Sequence, residues 1–161
     1  MKVKEVMMGT PYYCQLDTNL GSATELMWNG NCGFLPVIGA EGKIAGAVTD
    51  RDLCIALGTR NRLPGEVKIR EVMSHRLFAC SAGDDVHAAL EIMKEGGVRR
   101  LPVLGEDGAL VGVISIDDVL LRAAPGSIGV KPELSTEEVA KAFRAINQRR
   151  VPQIVLARGA G

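Results

Sequence analysis

The chain is written twice, and this constrains its fold more than any other feature. Gly46-Ala47-Val48-Thr49-Asp50-Arg51-Asp52 returns as Gly112-Val113-Ile114-Ser115-Ile116-Asp117-Asp118, a constant offset of 66 residues from Gly46 to Gly112. At the same offset Glu5-Val6-Met7 matches Glu71-Val72-Met73, and Leu35-Pro36-Val37 matches Leu101-Pro102-Val103. Gly39 and Gly42 return as Gly105 and Gly108; Ala23, Met27 and Gly30 return as Ala89, Met93 and Gly96. No gap is needed from about Val3 to Leu57. A tandem duplication in 161 residues implies two small units of one plan sharing a core.

Hydrophobic periodicity predicts the same α+β plan, β-α-β-β-α, in each unit. A first strand (Tyr12 to Leu16; Leu77 to Ser81) leads to a helix (about Leu20 to Asn29; Asp85 to Glu95). A strand over Phe34 to Ile38, or Arg100 to Leu104, then turns through Gly39-Ala40-Glu41-Gly42 or Gly105-Glu106-Asp107-Gly108. Glycine and acid at those turns suit tight hairpins. The return strand ends at Thr49 or Ser115, and a second helix follows over Asp50 to Leu57 or Ile116 to Ala123. Pro36 and Pro102 lack an N–H and are expected at edge-strand or packing positions. The expected division is residues 1–58 for the first unit, a polar linker over 59–68 and residues 69–124 for the second.

The duplicated motif carries the chemistry. Apolar residues run into a hydroxyl at Thr49 or Ser115, with an aspartate three residues later, so each copy reads as a strand turning directly into a helix. Free backbone N–H groups and the positive end of the helix dipole favour an anion there, above all a phosphate. Asp52 and Asp118 could accept bonds from the paired hydroxyls of a sugar. The same spacing also fits a capping box, in which hydroxyl and acid serve only the helix end. Both readings stand at this point.

Composition removes other classes. A formal net charge of zero and a pI near 6.7 make no electrostatic case for nucleic acid or an anionic membrane. No apolar run approaches a membrane span and no signal peptide opens the chain, so a cytoplasmic location is expected. Cys14, Cys32, Cys54 and Cys80 show no C-x-x-C spacing or matching histidine, so no metal site is expected. Cys14 and Cys80 are repeat equivalents inside apolar runs and should be free, buried thiols. His75 and His87 accompany no nucleophile pattern, and no Walker-type loop is present. No catalytic residue, enzyme activity or required cofactor is therefore expected.

From about Lys2 to Ala124 these motifs resemble a pair of CBS domains, modules named after cystathionine β-synthase. The resemblance implies two units packed through their sheets as a pseudo-two-fold pair, and a flat dimer of two pairs. It implies clefts between units that bind AMP, ADP, ATP or S-adenosylmethionine, and a regulated protein as partner. Thr49 and Ser115 would face the phosphate; Asp52 and Asp118 would hold the ribose. Cys32-Gly33-Phe34 and Val98-Arg99-Arg100 would line the base side. Tyr13 and Ala79 would stand near the adenine, where the family often has small polar residues. An alternative is an assembly module with empty clefts and caps alone.

The two motifs differ in one informative place. Arg51 stands between hydroxyl and aspartate in the first, Asp117 in the second. A guanidinium strengthens an anion site and a carboxylate opposes one. Phosphate-bearing nucleotides should therefore prefer the Thr49-Arg51-Asp52 side, although Arg99 and Arg100 could return positive charge to the second unit.

Residues 125–161 have no place in a two-unit plan. Ser135-Thr136-Glu137-Glu138 reads as a capping-box start, and Val139, Ala142, Phe143 and Ile146 form a helix stripe. Arg149 to Leu156 echoes Arg99 to Leu104 as a strand. This helix-strand extension, equally a partial third unit or a chance likeness, must pack on the pair or on a neighbouring chain.

Overall fold

The computed structural model describes residues 1–124 and 132–148. It confirms two β-α-β-β-α units, each with its own three-stranded sheet. Unit 1 comprises β1 (Cys14–Gln15), α1 (Leu20–Asn29), β2 (Phe34–Ile38), β3 (Ile44–Thr49) and α2 (Asp50–Thr59). Unit 2 comprises β4 (Cys80–Ser81), α3 (Val86–Gly96), β5 (Arg100–Leu104), β6 (Leu110–Ser115) and α4 (Ile116–Arg122). In each sheet the first strand runs parallel to the second and the third antiparallel to it.

Pro36 and Pro102 lie buried in the middle strands, so of the two expected places, edge strand or packing position, they take the packing one. The pairing explains why this is tolerated. Pro36 stands opposite Ala47, whose N–H and C=O both turn away to Ser74 (3.2 and 2.9 Å). The proline is therefore in a non-hydrogen-bonded pair and its missing donor costs nothing on that side. Pro102 repeats this opposite Val113, whose backbone bonds Met8 (3.0 and 2.9 Å). On the other side no donor is available, so the first strands pair only with Val37-Ile38 and Val103-Leu104. This is why β1 and β4 have 2 residues each, fewer than the expected runs.

The opening segments are exchanged between units. Val3 and Val6 belong to the core of unit 2, whereas Val67, Ile69 and Met73 belong to that of unit 1. Val3 N–H donates to the Asp84 carbonyl (2.9 Å) and Val86 N–H to that of Met1 (3.0 Å). Ile69 N–H donates to the Thr18 carbonyl (2.8 Å) and Leu20 N–H to that of Val67 (3.0 Å). Each segment then crosses the outer strand of the unit it joined. A Cβ on Gly46 would meet the Ser74 carbonyl oxygen at 2.4 Å, and one on Gly112 the Met8 oxygen at 2.8 Å. The leading glycine of each motif therefore admits the crossing chain. Arg60 and Arg62 reach Glu71 (3.3 and 2.9 Å) and tie the intervening segment to the start of the second repeat. The Lys68 N–H, then Arg62, hold the Glu71 carboxyl below its ordinary range.

The extension helix, α5 (Thr136–Gln148), packs on α3 and α4. Leu134, Val139, Ala142 and Ile146 join the buried core of unit 2. Phe143, expected in that stripe, is instead 42% exposed. The helix starts as read: the Ser135 hydroxyl donates to Glu138 (2.7 Å) and the Glu138 N–H to the hydroxyl (3.2 Å). The strand expected over 149–156 lies outside the described residues. Among the described residues no helix is long and apolar enough to cross a membrane.

Candidate functional site

The two motifs form the same junction. Thr49 is the N-cap of α2 in extended backbone (φ −115°, ψ 162°), and Ser115 that of α4 (φ −112°, ψ 160°). The Thr49 hydroxyl donates to Asp52 Oδ2 (2.6 Å), the Thr49 N–H donates to the same oxygen (2.8 Å), and the Asp52 N–H returns to the hydroxyl (3.3 Å). Ser115 and Asp118 repeat this at 2.6, 2.8 and 3.1 Å. Both are complete capping boxes. Each box uses one carboxylate oxygen; Oδ1 of Asp52 and of Asp118 accepts no hydrogen bond among the described residues.

Two clefts open at these junctions, and each draws on both units. The first, about 420 Å³, is lined by Thr49, Asp50, Arg51 and Asp52 with Gly33 and Phe34 of unit 1, and by Val98, Arg99 and Arg100 of unit 2. The second, about 180 Å³, joins Ser115, Asp118 and Val113 to Asn31, Cys32 and Tyr12 across the interface. Met8, Pro11, Gly30, Phe34 and Arg100 complete its wall.

The expected residues divide between these clefts. Thr49, Arg51, Asp52 and Arg99 line the first, Ser115 and Asp118 the second, and Phe34 and Arg100 both. Tyr13 lines neither; it faces a separate groove with Thr10, Pro11 and Gln15. Its predecessor Tyr12 lines both that groove and the second cleft. Tyr12 packs so closely on Gly30 that a Cβ there would meet its ring at 2.6 Å. Phe78 sits on Gly96 in the same way (2.8 Å), so the Tyr12/Phe78 and Gly30/Gly96 pairs, again 66 apart, carried the signal that was missed.

The electrostatics of the clefts differ. Arg51, Arg99 and Arg100 have no ion-pair partner among the described residues, and all three line the first cleft. Asp50 and Asp52 are the opposing charges there; Asp50 Oδ1 accepts the Arg51 N–H (2.7 Å) and Asp52 Oδ2 is taken up by its capping box. Among the described residues the second cleft has one guanidinium, that of Arg100, beside the Asp118 carboxylate. Cys14 in β1 and Cys80 in β4 are buried free thiols that donate to the Pro36 and Pro102 carbonyls (3.9 and 4.0 Å). Burial pushes Cys14 up to about 11; burial, with Asp84 adding, pushes Cys80 up to about 12. Among the described residues no group of three His, Cys, Asp or Glu side chains could hold a metal ion.

The CBS domain family model matches residues 3–59 and 69–125, so the chain belongs to the CBS domain family. It is 30% identical over 121 residues to the uncharacterized protein YlbB of Bacillus subtilis, covering 74% of this chain and 80% of that one. The uncharacterized protein MK0525 of Methanopyrus kandleri is 27% identical over 117 residues, and the match spans 57% of its length and 73% of this chain. Among solved structures, the CBS domain protein PAE2072 of Pyrobaculum aerophilum, complexed with AMP, superposes with a TM-score of 0.66. That match is 20% identical and covers 74% of this chain and 90% of the other. The CBS domain pair of protein MJ0100, in complex with 5′-methylthioadenosine and S-adenosyl-L-methionine, has the same TM-score and identity, covering 74% and 92%.

Proposed function

We propose that this chain is a regulatory module that binds adenosine-containing nucleotides in the two clefts and has no catalytic step of its own. One observation carries the reading most directly: both motif aspartates keep an unused carboxylate oxygen at the mouth of a cleft built from both units. A carboxylate so placed can accept the paired hydroxyls of a ribose, while the α2 N-terminus and Arg51 meet phosphate. The AMP bound by PAE2072 and the 5′-methylthioadenosine and S-adenosylmethionine bound by MJ0100 support the ligand class. Thr49, Arg51, Asp52, Ser115, Asp118, Phe34, Arg99 and Arg100 are the proposed contacts, with AMP, ADP or ATP as ligand. Residues 1–58 and 69–124 are taken as the two binding units, with their opening segments exchanged, in a cytoplasmic protein. A second copy and a regulated protein are the proposed partners, the former supported by the 84% exposed Trp28 on the helical face of unit 1.

The rival reading is that the boxes serve only as caps, and their complete internal hydrogen bonding favours it. Calorimetry with AMP separates the two. Asp52→Ala and Asp118→Ala should each weaken binding at their own cleft by roughly 1.5–3 kcal/mol, the scale of a lost charged hydrogen bond. Affinity unchanged in the double variant would leave caps alone. Sedimentation at micromolar concentration tests the dimer, and a monomer with and without nucleotide would refute it.

A further inference from the structure

The two clefts are not separate compartments. Phe34 and Arg100 line both, and they are each other's repeat equivalents, so they stand where the pseudo-two-fold relation brings the clefts together. Their backbones fix them there: Phe34 pairs with Thr49 and Arg100 with Ser115, the two N-cap hydroxyl residues. The duplication has put an apolar ring at one of these positions and a guanidinium at the other. One cation therefore borders two binding sites. No ion pair among the described residues assigns it to either side. Among the described residues the first cleft holds two further guanidiniums without an ion-pair partner, Arg51 and Arg99, whereas Arg100 is the one cation lining the second.

Resting on the nucleotide-binding reading above, we propose that Arg100 is a shared phosphate ligand that couples the clefts. When a nucleoside triphosphate fills the first cleft, its phosphates recruit Arg100 alongside Arg51 and Arg99, because charge-assisted bonds to guanidinium are among the strongest available. The second cleft then faces its own nucleotide with no cation and with the Asp118 carboxylate present. It turns from a site for a phosphate-bearing nucleotide into one for an uncharged nucleoside. The coupling is reciprocal, as linkage requires: a phosphate held in the second cleft weakens triphosphate binding in the first.

Calorimetry on the full chain tests this with AMP and adenosine as probes, in the absence of ATP and after saturation with it. The heat that survives ATP and disappears in Asp118→Ala belongs to the second cleft. ATP should weaken AMP there by about tenfold or more, the lower scale of a lost charged contact, and leave adenosine unchanged. Arg100→Gln should make AMP binding at that cleft indifferent to ATP, and Arg100→Lys should restore part of the effect; equal melting temperatures for both variants and the parent show that the fold is kept. The proposal is overturned if ATP leaves AMP unaffected, if ATP excludes adenosine as strongly as AMP, or if Arg100→Gln keeps the coupling. Binding of AMP and ATP without coupling defeats this inference alone. No binding of any adenine nucleotide to the parent defeats the nucleotide-binding reading as well.

Discussion

Units 1 and 2 share a plan but close their helical faces differently. Between α1 and α2 of unit 1 lies an open groove of about 580 Å³, lined in part by Thr24, Met27, Trp28, Leu53 and Leu57. In unit 2 the extension helix α5 packs on the equivalent pair, α3 and α4. The side chains differ accordingly. Thr24 and Asp50 are exposed in unit 1, whereas their equivalents Leu90 and Ile116 are buried in one cluster with Val139, Ala142 and Ile146. Two substitutions by aliphatic residues thus mark which repeat acquired a covering helix. The duplication supplied two identical faces, and divergence at a few positions decided what each could bury.

The comparison can be broken most severely at Ile146, which is fully buried. Ile146→Ala should lower unfolding free energy in urea by roughly 2–5 kcal/mol, the range for buried isoleucine truncation. Trp28→Ala, though it removes a larger side chain, should stay within about 0.5 kcal/mol of the parent when both are measured as monomers at low concentration. Similar losses from both would mean that α5 does not complete unit 2 as described.

The exchanged segments sharpen the same contrast. Val3→Ala should act on unit 2 and Val67→Ala on unit 1, each costing about 1–3 kcal/mol for a fully buried valine. Hydrogen exchange can locate the damage. Faster exchange in α3 with Val3→Ala, and in α1 with Val67→Ala, is the expected crossing; the reverse pattern would refute the exchange.

Smaller effects follow at the caps. Thr49→Ala and Ser115→Ala should each cost about 1 kcal/mol, and nearly equally, since their boxes have nearly the same distances. Unequal losses in thermal melts would show that one hydroxyl has a partner the other lacks.

The buried thiols give the smallest effect near neutral pH and a distinct one in alkali. Cys14 and Cys80 have folded values raised above the ordinary thiol value of 9.0, so their contribution is whole below about pH 9. It falls as the unfolded thiols ionise, through pH 11 for Cys14 and pH 12 for Cys80. Cys→Ala at either site should flatten the alkaline limb of the stability curve, more so at Cys80. At neutral pH a thiol reagent should modify the exposed Cys54 first; early reaction at Cys14 or Cys80 would contradict their burial.

The repeat made the element order, the helix starts and both capping boxes legible, because each rests on local spacing read twice. Val86, Ala89, Leu90 and Met93 stand at helical spacing within the expected Asp85 to Glu95 helix and are buried in α3. What depended on distant chain was not legible. Glu5-Val6-Met7 and Glu71-Val72-Met73 were visible as a repeated pair, but nothing local says that Val6 packs on the other unit. An edge strand stayed open for Pro36 beside a packing position, because the crossing chain at Ser74 that turns the Ala47 backbone away from it is a tertiary contact. For the site, Thr49, Asp52, Ser115 and Asp118 were placed by motif, whereas nothing local separated Tyr13 from Tyr12, since both precede β1 and strand alternation does not reach them.

The exchange of opening segments also sets an order of events during synthesis. The contact from Val3 to Asp84 cannot form until the second repeat has left the ribosome, so unit 2 receives its missing piece from the chain made first. Ile69, by contrast, reaches Thr18 as soon as the second opening segment emerges. The first repeat is thus finished early, and the N-terminus waits for its partner. A single repeat released alone would carry a segment shaped for a core it lacks. Two such fragments, cut between Arg62 and Pro64 and mixed, have the complementary pieces to rebuild one whole molecule.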